Sequence, residues 1–237
     1  MLTVTTSWDD GDAHDMRIAG MLDRYGLRGT FYVTRDQTNR LSEGAIYDIA
    51  RRQEIGAHTL SHVDVSTIPS QLKWEEIEGS KKWLESITQK NVDMFCYPFG
   101  RFDPEAKDMV KKTGFLGARS TIKTLGTIPT DVYELPVTMM TYRAPFGLLE
   151  KMLLPIRGAK MANTGWETLV HAKFKTVESN AGVFHLWGHS WEIDRLKLWD
   201  SLDAFLSLIS RKPNVRYVTN GELIQLLQST PAGQSRV

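Results

Sequence analysis

The chain has little cysteine and no long apolar run. Cys96 is the only cysteine among 237 residues, which excludes an internal disulfide bond and is typical of a reducing compartment. No segment reaches the about 18 apolar residues that a membrane-spanning helix needs. The N-terminus also lacks a basic region followed by a long apolar stretch, so no signal peptide is predicted. We therefore expect a cytoplasmic protein.

A surplus of charge of one sign is also missing. The 29 Lys and Arg residues nearly balance the 28 Asp and Glu residues, for a formal net charge of +1. This balance gives no reason to expect nucleic acid or an anionic membrane as a partner. With 41% hydrophobic residues, the chain is long enough to form one large domain with its own core. We expect that domain to span residues 1–228 and the tail 229–237 to be disordered.

Short β-type runs alternate with amphipathic segments along the chain. The pattern predicts strands in LTVTTSW, GTFYV, EIGAH, DMFCYP, FLGARS, VYELPVT, GVFHLWGH and VRYVT, with helices between most of them. Ser42 is expected to cap one helix and Pro104 to lie in the first turn of another. The apolar stretch FGLLEKMLLPIRG is read as a helix packed on the sheet, or as a lid or a contact for a lipid-linked substrate. Such alternation indicates a parallel α/β protein, either a barrel or an open sheet.

Acids, histidines and a Pro–Gly turn follow the predicted strands. Because functional residues of parallel α/β proteins lie at the carboxyl ends of the strands, we expect these groups to meet at one rim. They are Asp9, Asp10 and Asp12 in SWDDGD, His58 and His62 in HTLSH, Tyr97 to Gly100 in YPFG, and His185 and His189 in HLWGH.

HTLSH and SWDDGD together suggest a metal site. If HTLSH forms a helical turn, its two imidazoles face the same way and reach one cation, whereas the alternative is two surface histidines. A cation beside Asp10 would offset the repulsion from Asp9. Two histidines and one carboxylate leave open metal positions, as catalytic sites do. Asp12 is expected only to cap the next helix.

SWDDGD, HTLSH and YPFG, in this order and spacing, resemble the first three motifs of the polysaccharide deacetylases, the NodB-homology or carbohydrate esterase family 4 group. The resemblance extends from about residue 3 to about residue 120, and VFHLWGH is similar to the last motif, though less closely. It implies a deformed (β/α) barrel of about seven parallel strands, an incomplete form of the eight-stranded barrel.

The resemblance also implies roles for individual residues. Asp9 matches the general base, and a histidine of the last motif is the general acid. His189 is favoured over His185 because it lies nearer the carboxyl end of its strand. The other implied roles are metal ligation by Asp10, His58 and His62, an oxyanion or substrate contact by Tyr97, Pro98, Phe99 and Gly100 with the backbone N–H of Phe99 as donor, and lining of the acetyl pocket by Trp187.

The implied activity is metal-dependent removal of an N-acyl group, acetyl first, from an amino sugar or glycan. The cofactor would be one divalent ion, with zinc as first choice and cobalt, manganese or nickel as alternatives. The partner would be the carbohydrate substrate, and no oligomeric state is predicted. Two alternatives stay open: hydrolysis of a non-sugar amide on the same fold, and a carbohydrate-binding relative without catalysis.

The chain departs from the family pattern at three points. Cys96 stands where the third motif has an arginine that orients the base, so either an arginine from elsewhere, such as Arg143 in RAPFG, takes its place or the base is held differently. An aspartate that tunes the acid has no clear counterpart, although Glu192 is close enough in sequence to orient a histidine. Three aromatic residues near the motifs are interpreted either as sugar-stacking groups or as core residues: Trp8, Trp187 and Trp191.

Overall fold

The computed structural model describes residues 1–141 and 164–229. Nine strands lie in these two ranges: β1 (Leu2–Asp10), β2 (Gly29–Val33), β3 (Glu54–Ala57), β4 (Met94–Cys96), β5 (Gly117–Lys123), β6 (Leu135–Val137), β7 (Met139–Met140), β8 (Val183–Gly188) and β9 (Val215–Tyr217). Eight of the nine correspond to the eight predicted β-type runs, and the ninth, β7, begins directly after VYELPVT and was not predicted.

Eight α-helices lie in the same two ranges. They are α1 (Asp15–Tyr25), α2 (Glu43–Ala50), α3 (Ser70–Thr88), α4 (Pro104–Lys112), α5 (Thr164–Ser179), α6 (Ser190–Arg195), α7 (Trp199–Ile209) and α8 (Asn220–Ser229). The predicted cap of α2 is confirmed, because Ser42 accepts a hydrogen bond from the backbone N–H of Ala45. Pro104 is the first residue of α4, where its missing N–H leaves no partner unsatisfied.

All strands of the sheet pair in parallel, in the order β6-β5-β4-β3-β2-β1-β8-β7, with β9 also pairing with β1. Only Thr138 separates β6 from β7, and residues 135–140 pair with β5 at one end and with β8 at the other. The backbone N–H of Thr138 donates to the carbonyl of His185 in β8. The sheet therefore nearly closes on itself, and the predicted deformed (β/α) barrel is confirmed.

Helices cover the outside of the barrel, and apolar side chains fill the space between. Ile18 and Leu22 of α1 and Phe205 of α7 are almost completely buried in this layer. The barrel interior is different, because polar and charged side chains of β1, β5 and β8 are buried inside it. Ser7, Asp9, Arg119 and His185 are all at most 3% exposed. Since buried charges need partners, this interior marks the place to look for a site.

Three expectations concern residues beyond the two described ranges. FGLLEKMLLPIRG and RAPFG, with Arg143, lie outside them, and so does the tail after Ser229, the last residue of α8.

VYELPVT begins with a 3₁₀ turn, Val132–Glu134, before the strand starts. Across the described residues, none of the helices has the length and apolar character that crossing a bilayer requires.

Candidate metal centre and active site

Asp10, His58 and His62 meet at the carboxyl end of the barrel. The Oδ1 atom of Asp10 lies 3.3 Å from Nε2 of His62 and 3.7 Å from Nε2 of His58. One donor atom from each of the three residues lies within 4.8 Å of the others. Asp10 has a left-handed backbone (φ 78°), which turns the chain sharply where β1 ends. The three residues predicted as metal ligands are therefore adjacent.

The surroundings of these donors suit a cation. Oδ1 of Asp10 is buried and has no hydrogen-bond partner among the described residues. Nδ1 of His58 lies 2.8 Å from the carbonyl oxygen of Cys96, which can only accept, so Nδ1 carries the proton and Nε2 faces Asp10 with its lone pair. Burial lowers the pKa of His58 to about 4 and so keeps the imidazole neutral. A carboxylate and two imidazoles fit one divalent ion and leave further coordination positions open.

Asp10 stays ionised in this setting. Burial alone would raise its pKa, but the neighbouring imidazoles of His62 and His189 and the indole N–H of Trp191 outweigh burial and lower the pKa. Each of these groups stabilises the negative form by charge or by hydrogen bonding. The carboxylate is therefore ready to bind a cation at neutral pH.

The loop that carries the two histidines is not a helical turn, so that part of the prediction is wrong. Thr59 and His62 have positive φ angles (61° and 56°), which no helix contains. The carboxylate of Glu76 in α3 holds the loop instead. It accepts from the backbone N–H groups of Leu60 and Ser61 at 2.8 and 2.9 Å, and from the hydroxyl of Ser61 at 2.6 Å. The loop brings the imidazoles together by turning back, not by helical periodicity.

Asp9 is buried beside the metal-ligand candidates and forms an ion pair with Arg119 through Oδ2. Its Oδ1 has no hydrogen-bond partner among the described residues. Arg119 lies on β5 directly opposite Cys96 of β4, the position at which the family pattern has its arginine. The guanidinium lies 5.4 Å from the ring centre of Tyr32 and 4.8 Å from that of Trp187. An arginine one strand away thus contacts the base candidate.

Sequence analysis missed Arg119. The only local signal was a basic residue inside the β-type run FLGARS, where a buried strand would be expected to be apolar. A buried arginine needs a carboxylate partner, which would have pointed to one of the acids of SWDDGD.

His189 precedes α6 and lies next to the same cluster. Its Nδ1 is 2.7 Å from Oε2 of Glu192, and its Nε2 is 3.9 Å from Oδ2 of Asp10. Burial lowers the pKa of His189, but the hydrogen bond to Glu192 and the charges of Asp9, Asp10 and Glu192 more than offset this, so the net pKa is raised. Glu192 therefore orients the histidine, as its position in the sequence suggested.

His185 lies behind the site, inside the barrel. Its Nδ1 is 3.0 Å from the carbonyl oxygen of Pro136 and therefore carries the proton, so Nε2, 2.9 Å away, accepts from the hydroxyl of Ser7. Burial lowers the pKa of His185 to about 3, which keeps the ring neutral. Both ring nitrogens are engaged in joining strands β1, β6 and β8. Of the two histidines proposed as acid, His189 is the one beside the metal-ligand candidates.

The YPFG turn contributes one exposed side chain. Phe99 is 57% exposed with φ 59°, and its ring meets that of His62 edge-on at 4.8 Å. Tyr97 and Pro98 are buried, and the hydroxyl of Tyr97 donates to the carbonyl of Tyr133, away from the rim. Gly100 has φ 70°, and a Cβ there would clash with Thr121, so the turn requires glycine.

Of the remaining candidate residues, some are buried or hold a turn, and one contacts a metal-ligand candidate. Asp12 accepts from the backbone N–H and Nδ1 of His14 and from the amide of Asn39, so it holds the turn before α1 rather than capping its first residue. Trp8 is fully buried and Trp187 is 6% exposed, so neither offers an open stacking face. Trp191 is partly buried and donates its indole N–H to Oδ2 of Asp10 at 2.9 Å.

The fold and the site define this protein as a parallel (β/α) barrel that carries acids and histidines at the carboxyl ends of its strands. Residues 2–118 match the family model described as polysaccharide deacetylase. A Bacillus subtilis (strain 168) protein that carries the name polysaccharide deacetylase YxkH is 25% identical over 117 residues, which are 47% of this chain and 42% of that protein. The family resemblance predicted from the motifs is thereby confirmed, over a match that spans less than half the length of this relative.

Solved structures show the same fold. A polysaccharide deacetylase-like crystal structure from Mycobacterium smegmatis superposes with a TM-score of 0.73, at 16% identity, over 100% of this chain and 94% of that one. A family 4 acetyl xylan esterase from Clostridium thermocellum, solved with a cobalt ion, gives 0.54 at 15% identity, over 94% and 91%. At these identities the likeness extends to the fold alone.

Proposed function

We propose that this protein is a metal-dependent hydrolase that removes an N-acyl group, acetyl first, from an amino sugar or glycan. The observation that carries the proposal is the convergence of three groups of interacting residues at one end of the barrel. They are Asp9 with Arg119, Asp10 with the two histidines of HTLSH, and His189 with Glu192. These contacts support the roles proposed for each group.

Asp10, His58 and His62 would hold one divalent ion, zinc as first choice. When bound, such an ion would supply Lewis-acid chemistry, polarising an acyl carbonyl and making water more acidic. Asp9 would take a proton from the attacking water, and Arg119 would hold that carboxylate in place. His189, with its raised pKa, would protonate the leaving amine. The backbone N–H of Phe99 would help to stabilise the oxyanion.

The substrate is proposed to be a carbohydrate because of the family match and the rim of the site. The exposed ring of Phe99 and the partly exposed ring of Trp191 flank the metal-ligand candidates, and such rings can stack on sugars. A non-sugar amide remains the second candidate substrate. Binding without hydrolysis is disfavoured by the buried Asp9–Arg119 pair, since binding a sugar does not require a base.

The test is acetate release from N-acetylglucosamine oligosaccharides by the purified, zinc-loaded chain. We expect Asp9→Asn to lower kcat by about 10²–10⁴-fold, the usual contribution of a general acid or base. His62→Ala should abolish activity through loss of metal. The matched control is Asp12→Asn, which changes a neighbouring carboxylate that only holds a turn and should leave kcat near the native value.

Three results would contradict the proposal in different ways. Unchanged acetate release by both the Asp9 and His62 variants would rule out the assigned chemistry. Full activity after exhaustive chelation would favour an amide hydrolase that needs no metal. Sugar binding without any hydrolysis, even with metal restored, would favour a binding protein.

A further inference from the structure

The short helix α6 follows the acid candidate His189, and its first three residues each bond to a different part of the site. The hydroxyl of Ser190 donates to Oδ1 of the buried Asp15 at 2.5 Å. The indole of Trp191 donates to Oδ2 of Asp10 at 2.9 Å, and Glu192 pairs with Nδ1 of His189. The first turn of α6 is thus held by Asp15 and contacts both Asp10 and His189.

We propose that Trp191 is a positioning residue of the metal site. Asp10 has two carboxylate oxygens, and Oδ1 is the one that lies near His58 and His62. The indole N–H holds Oδ2, which leaves Oδ1 directed to Nε2 of His62 and of His58. A carboxylate fixed in this way loses less conformational freedom when a cation binds. This inference rests on the proposed metal-dependent function.

The indole is itself held in place, so the hydrogen bond has a defined direction. The guanidinium of Arg195 lies 5.2 Å from the centre of the Trp191 ring, and the imidazole of His189 lies 5.4 Å from it on a tilted plane. Without the indole donor, Oδ2 would be left near the buried end of the site with one partner fewer, which costs free energy and permits the carboxylate to rotate. Residues that hold metal ligands in this way commonly change metal affinity by about 10–100-fold when mutated.

The experiment compares Trp191→Phe with Trp199→Phe in the full chain. Trp199 is a matched control, because its indole also donates to an aspartate, Oδ1 of Asp194 at 3.0 Å, away from the metal-ligand candidates. Apo protein is titrated with Zn²⁺ in competition with a chromophoric chelator, and the Co²⁺ absorption spectrum reports the ligand geometry. Thermal unfolding of the apo forms measures any general loss of stability.

We expect Trp191→Phe to bind Zn²⁺ about 10–100-fold more weakly than the native chain and to alter the Co²⁺ spectrum. Saturating Zn²⁺ should restore part of the kcat that the variant loses at limiting metal. Trp199→Phe should bind like the native protein. Equal affinity of the two variants would overturn the inference even if the native chain deacetylates. Weaker binding by Trp191→Phe with no deacetylation by the native chain would support the inference and reject the proposed activity. A native chain that binds no divalent ion would reject both.

Discussion

The contact between Asp9 and Arg119 joins two charges that would each be costly to bury alone. Breaking a buried ion pair by removing one partner typically costs about 3–5 kcal/mol, because the other charge is left uncompensated. The arginine comes from β5 and not from β4, yet the two strand positions are in register, so a guanidinium from either side reaches the same carboxylate. An arginine on β5 can therefore do what the family pattern assigns to an arginine at the position of Cys96 on β4.

Changing Arg119 should therefore impair catalysis without removing metal. We expect Arg119→Lys, which keeps the charge but loses the planar fork, to lower kcat by about 10–100-fold through a misplaced base, with Zn²⁺ affinity unchanged. The double variant Cys96→Arg/Arg119→Cys should recover part of the activity that Arg119→Cys alone loses. Native kcat in Arg119→Lys and in Arg119→Cys would show that Arg119 does not position the base. Acetate release and chelator competition measure the two effects separately.

Sequence reasoning located the residues whose roles follow from local motifs. Asp9, Asp10, His58 and His62 stand in short motifs that occur in a fixed order, so their convergence could be predicted. Arg119 could not be assigned, because it contacts a residue 110 positions away and nothing in FLGARS specifies that partner. The same is true of the indole of Trp191, whose partner Asp10 lies 181 positions away. Such contacts depend on strand register, which emerges only in the fold.

At the level of secondary structure, the elements that were missed are short. α6 has six residues, too few for a helical period to stand out, so it did not appear in the sequence pattern. The HTLSH loop was mistaken for a helical turn because four-residue spacing suits either a helix or a chain that reverses. Long elements such as α3, with 19 residues, were predicted because their apolar positions repeat over several turns.

The placement of Glu192 in the first turn of α6 predicts a pH effect. Glu192 raises the pKa of His189, and the general acid that we propose His189 to be would work only while protonated. Glu192→Gln removes the negative charge, so the pKa of His189 falls and the alkaline limb of kcat/KM moves to lower pH. At pH values above the shifted limb, the variant should lose much of the rate enhancement of about 10²–10⁴-fold that general acid catalysis contributes.

The matched control for this measurement is Asp194→Asn. It removes a carboxylate from the same helix, one that bonds to Trp199 instead of His189, and should leave the alkaline limb in place. An alkaline limb that stays at the native pH in Glu192→Gln would contradict the assignment of His189 as the acid tuned by Glu192. The pH profile of acetate release gives the answer.

Across the whole molecule, the barrel is completed by residues 135–140, for which the sequence predicted a single strand in VYELPVT. Residues 135–140 pair with β5 through β6 and with β8 through β7. The resemblance implied about seven strands, and the path of eight strands gives seven barrel positions when β6 and β7, separated only by Thr138, are counted as one. The sequence of this segment does not show that it pairs with both β5 and β8. Its runs are too short for an apolar–polar alternation that would distinguish an edge strand from one that closes the barrel. Closure depends on backbone hydrogen bonds between distant residues, such as Thr138 to His185.

The end of the barrel opposite the site also carries a partly buried acid, and it should make global stability depend on pH. Glu54 of β3 accepts from the hydroxyl of Thr30 at 2.5 Å and from the backbone N–H of Gly221 at 3.0 Å, which ties β2 and β3 to α8. Burial raises its pKa to about 7 from an ordinary value of 4.5, and the two hydrogen bonds only partly offset the burial.

The raised pKa means that the folded state binds the proton of Glu54 more tightly than the unfolded state. The stability that this proton confers is complete below pH 4.5 and is lost as the pH rises through about 7. A difference of that size corresponds to roughly 3 kcal/mol. Glu54→Gln keeps an oxygen acceptor but cannot ionise, so its unfolding free energy, relative to the native chain, should rise by roughly 3 kcal/mol between pH 4 and pH 9.

Urea unfolding across that range measures the difference directly. Contributions from other titrating groups are shared by the two proteins and cancel in the comparison. The exposed Glu43 of α2 provides a control, since Glu43→Gln makes the same chemical change without burial. If the native and Glu54→Gln curves ran parallel, the proton on Glu54 would carry no stability. The link between β3 and α8 would then depend on hydrogen bonds that tolerate a charged carboxylate.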